Sequence, residues 1–275
     1  MSTIAPQAPA AAEPGRVEAT AQAAGAAFLS LARTIGAAAL LLAQIARRLV
    51  AVPPVIDYPE LRRNMHKMTV KSLPIVVITA LFTGAITVIQ AAPIVKRYGA
   101  EGLLGWASGF ATLREIAPLL TALMISGRVG ANNTAELGTM VVTEQIDALR
   151  VLAIDPISFL VAPRFVAIVA TLFLMTLYAD ALALFGAACA GYGLLQIEPQ
   201  SFFNGLTGGL LYFGDVAGGL FKSVAFGLVI ALSSCHFGIT TTGGAPGVGR
   251  SVNATVVASA AGVFILDYFV SFVVG

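Results

Sequence analysis

The chain has 275 residues, of which 57% are hydrophobic and only 11% charged, with a mean hydropathy of +0.87. Soluble domains carry about 25% charge, so this composition belongs to the membrane class and excludes a disordered chain, a collagen-like chain and a small disulfide scaffold. The net charge of +2 is uninformative, but its distribution is not: 12 of the 30 charged residues precede Ser72, leaving 18 for the last 204 positions.

Residues 1–25, rich in Ala and Pro with Glu13, Arg16 and Glu18, lack an apolar core and read as a disordered tail. The apolar run 29–42 is interrupted by Arg33 and Gly36, and Arg47 and Arg48 follow it where a secretory signal would need them to precede it. The expectation is an uncleaved N-terminus and an interfacial helix over residues 26–56. A basic segment with Arg62, Arg63, His66, Lys67 and Lys71 then leads into residues 73–92, twenty positions without a charge. At 1.5 Å per residue this run spans about 30 Å, the thickness of a hydrocarbon core. It is the first of five expected membrane spans, at about 73–92, 103–126, 157–195, 216–235 and 252–274. Between the second and third lies a cytoplasmic loop with helical character, 127–156. The loop 198–215 carries no basic residue, as an external loop should, and holds a short helix near 201–206. The fold class is an all-α integral membrane protein. Its N-terminus is cytoplasmic and its C-terminus external, because Arg62, Arg63, Lys67, Lys71, Arg128, Arg150 and Arg250 fall inside against Lys96 and Arg97 outside.

Several chemistries find no carrier. The run GGAPGVGR at 243–250 lacks the Lys-Ser/Thr pair of a nucleotide loop and follows no strand, so it reads as a flexible connection. His66 and His236 have no carboxylate at metal-ligand spacing, and Cys189 and Cys235 have neither CxxC spacing nor neighbouring histidines. No metal, cofactor, catalytic residue or nucleic-acid partner is expected. The charges inside the spans carry more information, since an ionisable group at mid-bilayer is costly unless it pairs or meets water. Arg114 and Glu115 fall near the middle of the second span. Neighbouring helical residues point about 100° apart, so the two do not pair readily with each other. They either line a cavity, or belong to structural pairs in which Arg114 or Lys222 meets Asp180 or Asp267. In the following loop, residues 144–149 form an amphipathic turn with Ile146 and Leu149 on one side, suited to docking a partner; an ordinary loop would explain it equally.

A family resemblance separates these readings. The pattern E-x-x-P-x-L-T-A-L at 115–123, G-R-x-G-A at 127–131, A-E-L-G-T-M-x-V-x-E-Q-I-D-A-L at 135–149 and the dipeptide Asp155-Pro156 closely resemble the MlaE/YrbE permease family, as does GVGRSVNATVVAS at 247–259. The resemblance covers the chain from about Tyr58 onward. It implies the membrane subunit of an ABC system that moves phospholipids or related lipids between membranes, in a bacterial inner membrane. The implied partners are a separate ABC ATPase, an MCE-domain substrate-binding protein, a second copy of the chain and the phospholipid substrate, with room for a small cytoplasmic regulatory subunit. A cytoplasmic coupling helix between spans two and three would dock the ATPase through Glu136, Glu144, Gln145, Ile146, Asp147, Leu149 and Asp155, while Arg114 and Glu115 would line the lipid pathway. The competing reading is an ion-coupled secondary transporter in which Asp180, Asp267 and Glu115 relay protons.

Overall fold

A computed structural model describes residues 16–50 and 57–274. The chain divides into two compact units, one ending at Leu40 and one beginning at Leu41. The described part of the first is the opening of helix α1 (Arg16–Val50), along which Phe28, Leu29, Ile35 and Leu40 are exposed. The expected tail at 1–25 therefore ends within this helix, and its first fifteen residues lie outside the described ones.

The second unit is a bundle built on α2 (Tyr58–Arg97), a long interrupted helix comprising α3 (Leu104–Ala111), α4 (Ala117–Ile125) and α5 (Ala131–Val142), the short α6 (Gln145–Val151), α7 (Ala162–Leu195), α8 (Pro199–Thr207), α9 (Phe213–Ile239) and α10 (Gly244–Val274). Single π-helical turns at Thr112–Ile116 and Ser126–Gly130 join α3 to α4 and α4 to α5, and another at Ile157–Val161 precedes α7. No strand occurs among the described residues. Six helices there are long and apolar enough to cross a membrane, five of them in this unit. The sixth, Phe28–Val50, falls where an interfacial helix is expected over 26–56; positions 51–56 of that expectation lie outside the described residues.

Helix α2 buries every fourth residue from Ser72 through Val76, Ala80, Gly84, Val88 and Ala92, a straight stripe of mostly small side chains. It faces α7. A Cβ on Gly84 would stand 1.8 Å from the Ala183 carbonyl oxygen, and one on Gly186 would stand 2.1 Å from that of Leu81. The two backbones therefore touch, which is how helices pack in lipid, where dispersion and not water exclusion holds them together. The larger core gathers Phe165, Ile168, Leu172 and Met175 of α7, Phe226 and Ile230 of α9, and Leu41 and Ile45 of α1.

The helical structure that carries the expected second span does not end at 126 but continues to Val142, so the loop expected over 127–156 is helical over its first part. Its charged residues, Arg128 and Glu136 among them, make this stretch read as a loop. In the bundle Asn133 Nδ2 donates to Ser234 Oγ at 3.0 Å, and the Thr134 hydroxyl meets Thr255 Oγ1 at 2.8 Å and the Ser234 carbonyl at 3.1 Å. Paired in this way, the polar side chains are buried between α9 and α10 at little cost. The connection from α5 to the third span thus shrinks to 143–156 and contains α6.

Candidate functional site

The first constellation is built on the π-turn Thr112–Ile116. The extra residue of a π-turn re-aims side chains within a helix, and such turns recur at functional sites. Gly219 of α9 allows α9 to lie against it, since a Cβ there would come within 2.1 Å of the Leu113 carbonyl oxygen. One turn on, Lys222 is 2% exposed, forms ion pairs with the Glu115 carboxylate and with Asp267 Oδ1 of α10 at 3.1 Å, and donates to Ser271 Oγ at 2.7 Å. Ser271 Oγ in turn donates to Glu115 Oε1 at 3.2 Å. Arg114 points to different partners. Its Nη1 lies 3.5 Å from Asp215 Oδ1, and its guanidinium sits 5.3 Å from the Phe110 ring centre, a cation–π distance. Asp215 also accepts the Tyr212 N–H at 3.0 Å at the start of α9, so its position is set by the helix it caps. The constellation thus joins three helices and holds two cations against three carboxylates. Lys222 is sealed, whereas the Glu115 side chain is 40% exposed.

Of the expected structural pairs, Lys222 with Asp267 is present, while Arg114 meets Asp215 instead. Asp180 stands apart: it is buried in α7, and neither carboxylate oxygen has a hydrogen-bond partner among the described residues.

The second constellation lies where α5 hands over to α7. Glu144 adopts a left-handed conformation (φ 61°), reversing the chain so that α6 starts in a new direction. Glu144, Gln145 and Asp147 are exposed, Asp147 pairs with Arg150 at 2.8 Å, and Ile146 is buried with Leu149 half-buried beside it. Val151 and Leu152 are 87% and 69% exposed at the end of α6, an apolar tip that periodicity does not flag because it trails the amphipathic turn. Asp155 has another task. Its carboxylate accepts Ser158 Oγ at 2.6 Å and the N–H groups of Ile157 and Ser158, both at 3.3 Å, and meets Arg48 of α1 at 3.2 Å. Partial burial pushes its carboxyl pKa up, but these donors and Arg48 outweigh that and hold it below the usual aspartate value.

Glu136 is not brought to α6. It sits on α5 with Lys67 of α2 on one oxygen and Arg164 Nη1 of α7 at 3.0 Å on the other, while Asn132 Nδ2 donates at 2.8 Å. Arg164 is 3% exposed. This clasp ties three helices at the α6 end of the bundle. Its members lie 28 and 69 residues from Glu136, so no local pattern announces them.

The chain was also compared with known proteins. The family described as Permease MlaE matches residues 61–273. A probable ABC transporter permease protein of Synechocystis is 41% identical over 214 residues, 76% of this chain and 81% of that protein. The chloroplastic protein TRIGALACTOSYLDIACYLGLYCEROL 1 of Arabidopsis thaliana is 36% identical over 209 residues, covering 76% of this chain and 59% of the relative. The intermembrane phospholipid transport system permease protein MlaE of Haemophilus influenzae is 29% identical over 214 residues, 78% of this chain and 82% of that one. With an all-helical membrane bundle and a family match over most of its length, the chain belongs to the MlaE permease family.

Proposed function

We propose that the chain is the membrane subunit of an ABC transporter that moves phospholipids between membranes, driven by a separate ATPase and working with an MCE-domain protein on the outer face. Family membership supplies the transporter class, and the relative named for intermembrane phospholipid transport suggests the substrate. The observation that carries the lipid reading is the charged constellation on the π-turn. A buried network serving only cohesion has no need of an exposed member, yet Glu115 is 40% exposed and the Arg114 side chain 23%. An arginine fork donates two parallel hydrogen bonds to phosphate oxygens, and Asp215 holds it in place until a headgroup competes for it. The outer face of α10, with Phe264, Ile265, Tyr268, Phe269 and Phe272 exposed, is the surface offered to a second copy, which would bring two such constellations together.

At the other end, α6 is the coupling helix. Glu144, Gln145 and Asp147 form its polar surface, Ile146 and Leu149 anchor it to the bundle, and Val151 and Leu152 add an apolar tip. Asp155 and Glu136 stand behind it, one capping the helical segment that leads into α7, the other clasping α2, α5 and α7, so that force on α6 reaches three helices. Basic residues near this end put it in the cytoplasm by the positive-inside rule, with the 198–215 loop outside. Helix α1 buries Leu41 and Ile45 and exposes most of its residues from 25 to 50 whose burial is described, which suits it to lie along the interface.

The test is Arg114→Ala in the assembled complex, with a photoactivatable lipid. Normal assembly with loss of crosslinking near position 114 is expected; failed assembly, or unchanged crosslinking, would make Arg114 structural. The ion-coupled alternative keeps one observation, the unpartnered Asp180, and predicts transport driven by a proton gradient without ATP.

A further inference from the structure

A cavity of about 140 Å³ opens at the α6 end between α2 and the stretch from the π-turn Ser126–Gly130 into α5. It is lined by Lys67, Lys71 and Ser72 on one side and Arg128, Asn132 and Glu136 on the other. The spacing is regular. Arg128, Asn132 and Glu136 repeat every four residues on one helical face, and Lys67 and Lys71 do so on the other. Three cations thus face one carboxylate, and that carboxylate already serves Lys67, Arg164 and Asn132. Lys71 and Arg128 make no ion pair among the described residues. Both are exposed, so water screens their charge, and each is open to an anion arriving from outside.

A second observation points the same way. Ser72 lines the cavity, is 0% exposed, and its Oγ has no hydrogen-bond partner among the described residues. A buried hydroxyl without a partner costs free energy that a ligand acceptor would recover. Lys71 and Ser72 also stand immediately before the uncharged run 73–92, which sets them at the level of headgroup phosphates. Directly along the same helices the lining changes character. About 15 Å further by helical rise, Val76, Ala80 and Thr83 of α2, Ala117, Leu120 and Met124 of α4, and Ala179 and Ala183 of α7 leave a void of only about 10 Å³, too small for an acyl chain.

We propose that this cavity holds the phosphate of an anionic phospholipid from the leaflet on the α6 side, with its acyl chains left in the bilayer. Lys71 and Arg128 bind the phosphate oxygens, Ser72 and Asn132 donate to them, and Glu136 holds Lys67 back from closing the site. The constellation around Arg114 is separate, on the π-turn at Thr112–Ile116, so the chain has two phosphate-reading positions along one interrupted helix. The assignment of a leaflet rests on the transporter reading above; the binding itself does not.

The experiment is native mass spectrometry of the full chain in its complex, released from detergent. Three probes are used: dioleoylphosphatidylglycerol, dioleoylglycerol with the same chains and no phosphate, and inorganic phosphate. The unaltered protein should retain the phosphatidylglycerol at least tenfold better than the dioleoylglycerol, and the double variant Lys71→Gln/Arg128→Gln should retain one phosphatidylglycerol fewer per chain, the Arg114 position keeping its own. Ser72→Ala, which removes only the hydroxyl, should weaken retention about fivefold, the value of one neutral hydrogen bond. Undiminished retention in either variant overturns the site. Equal retention of the two lipids overturns the phosphate assignment, and inorganic phosphate displacing all bound lipid overturns a lipid as the occupant. Because retention needs neither ATP nor transport, an unaltered protein that drives ATP-dependent transport without retaining the lipid counts against this site alone, and one that retains it without ATP-dependent transport counts against the transport reading alone.

Discussion

Removing the Lys222 ammonium is the sharpest physical test of the constellation on the π-turn. Lys222 is 2% exposed and sits between Glu115 and Asp267, so Lys222→Met would leave two carboxylates close together with no cation between them. Breaking a buried pair by removing one partner costs about 3–5 kcal/mol, most of it for the charge left uncompensated. For a chain of this length about 2–4 °C of Tm accompanies each kcal/mol, so a fall on the order of 10 °C is expected. The double variant Lys222→Met/Asp267→Leu removes the stranded partner and leaves only Glu115, which water reaches. It should recover most of the loss, since an apolar replacement of similar volume for a buried pair is often neutral. The chain carries its own reporter. Cys235 is fully buried while Cys189 is exposed, so in a Cys189→Ser background a thiol-reactive dye lights up only as the bundle opens. A single variant as stable as the parent, or a double variant no better than the single, would show that Lys222 is not compensating these carboxylates.

Three further outcomes follow from the geometry. Replacing Glu144 and Asp147 together by Lys should abolish co-purification of the ATPase while membrane insertion is kept; retained binding and stimulation would remove α6 from the coupling role. A cysteine at Ser201 should react with an impermeant thiol reagent from outside and one at Ser251 should not, and the reverse pattern would invert the orientation. Asp155, whose folded-state carboxyl lies below the ordinary value near 4, stabilises the start of the third span above that pH and loses the contribution as pH falls through its lowered folded value. Amides at Ile157 and Ser158 should therefore exchange faster in strong acid, and in Asp155→Asn already at pH 7; parental exchange rates in the variant would refute the capping role.

Which charges gather in the candidate site was partly legible before any folding. Arg114 and Glu115 stand out because a mid-span charge is expensive, and their divergence follows from the 100° step between helical neighbours. The pairing of Lys222 with Asp267 was among the open alternatives, because only a few opposite charges exist in the spans to meet. Asp215 was passed over as a residue of the external loop, although its position at the start of α9 brings it to Arg114. Glu136 was grouped with Glu144 and Asp147 because all three lie in one motif block. Six further residues of helix, 137–142, and a left-handed turn at Glu144 separate them in space.

The sequence by itself determined the membrane class, the approximate number of helices, the short helix between the second and third spans, and the family. These depend on local quantities: runs of apolar residues as long as a bilayer is thick, charge distribution at their ends, and a motif read within forty residues. Only the tertiary structure decided that 127–142 belongs to the bundle and not to a loop, that Glu136 clasps α2 to α7, and that Ser72 and Lys71 share a cavity with Arg128. The partners in those contacts lie from about thirty to more than a hundred residues apart. A polar side chain looks like a loop residue until the partner that satisfies its hydrogen bonds is folded against it, and linear order does not say which distant helix will bring that partner.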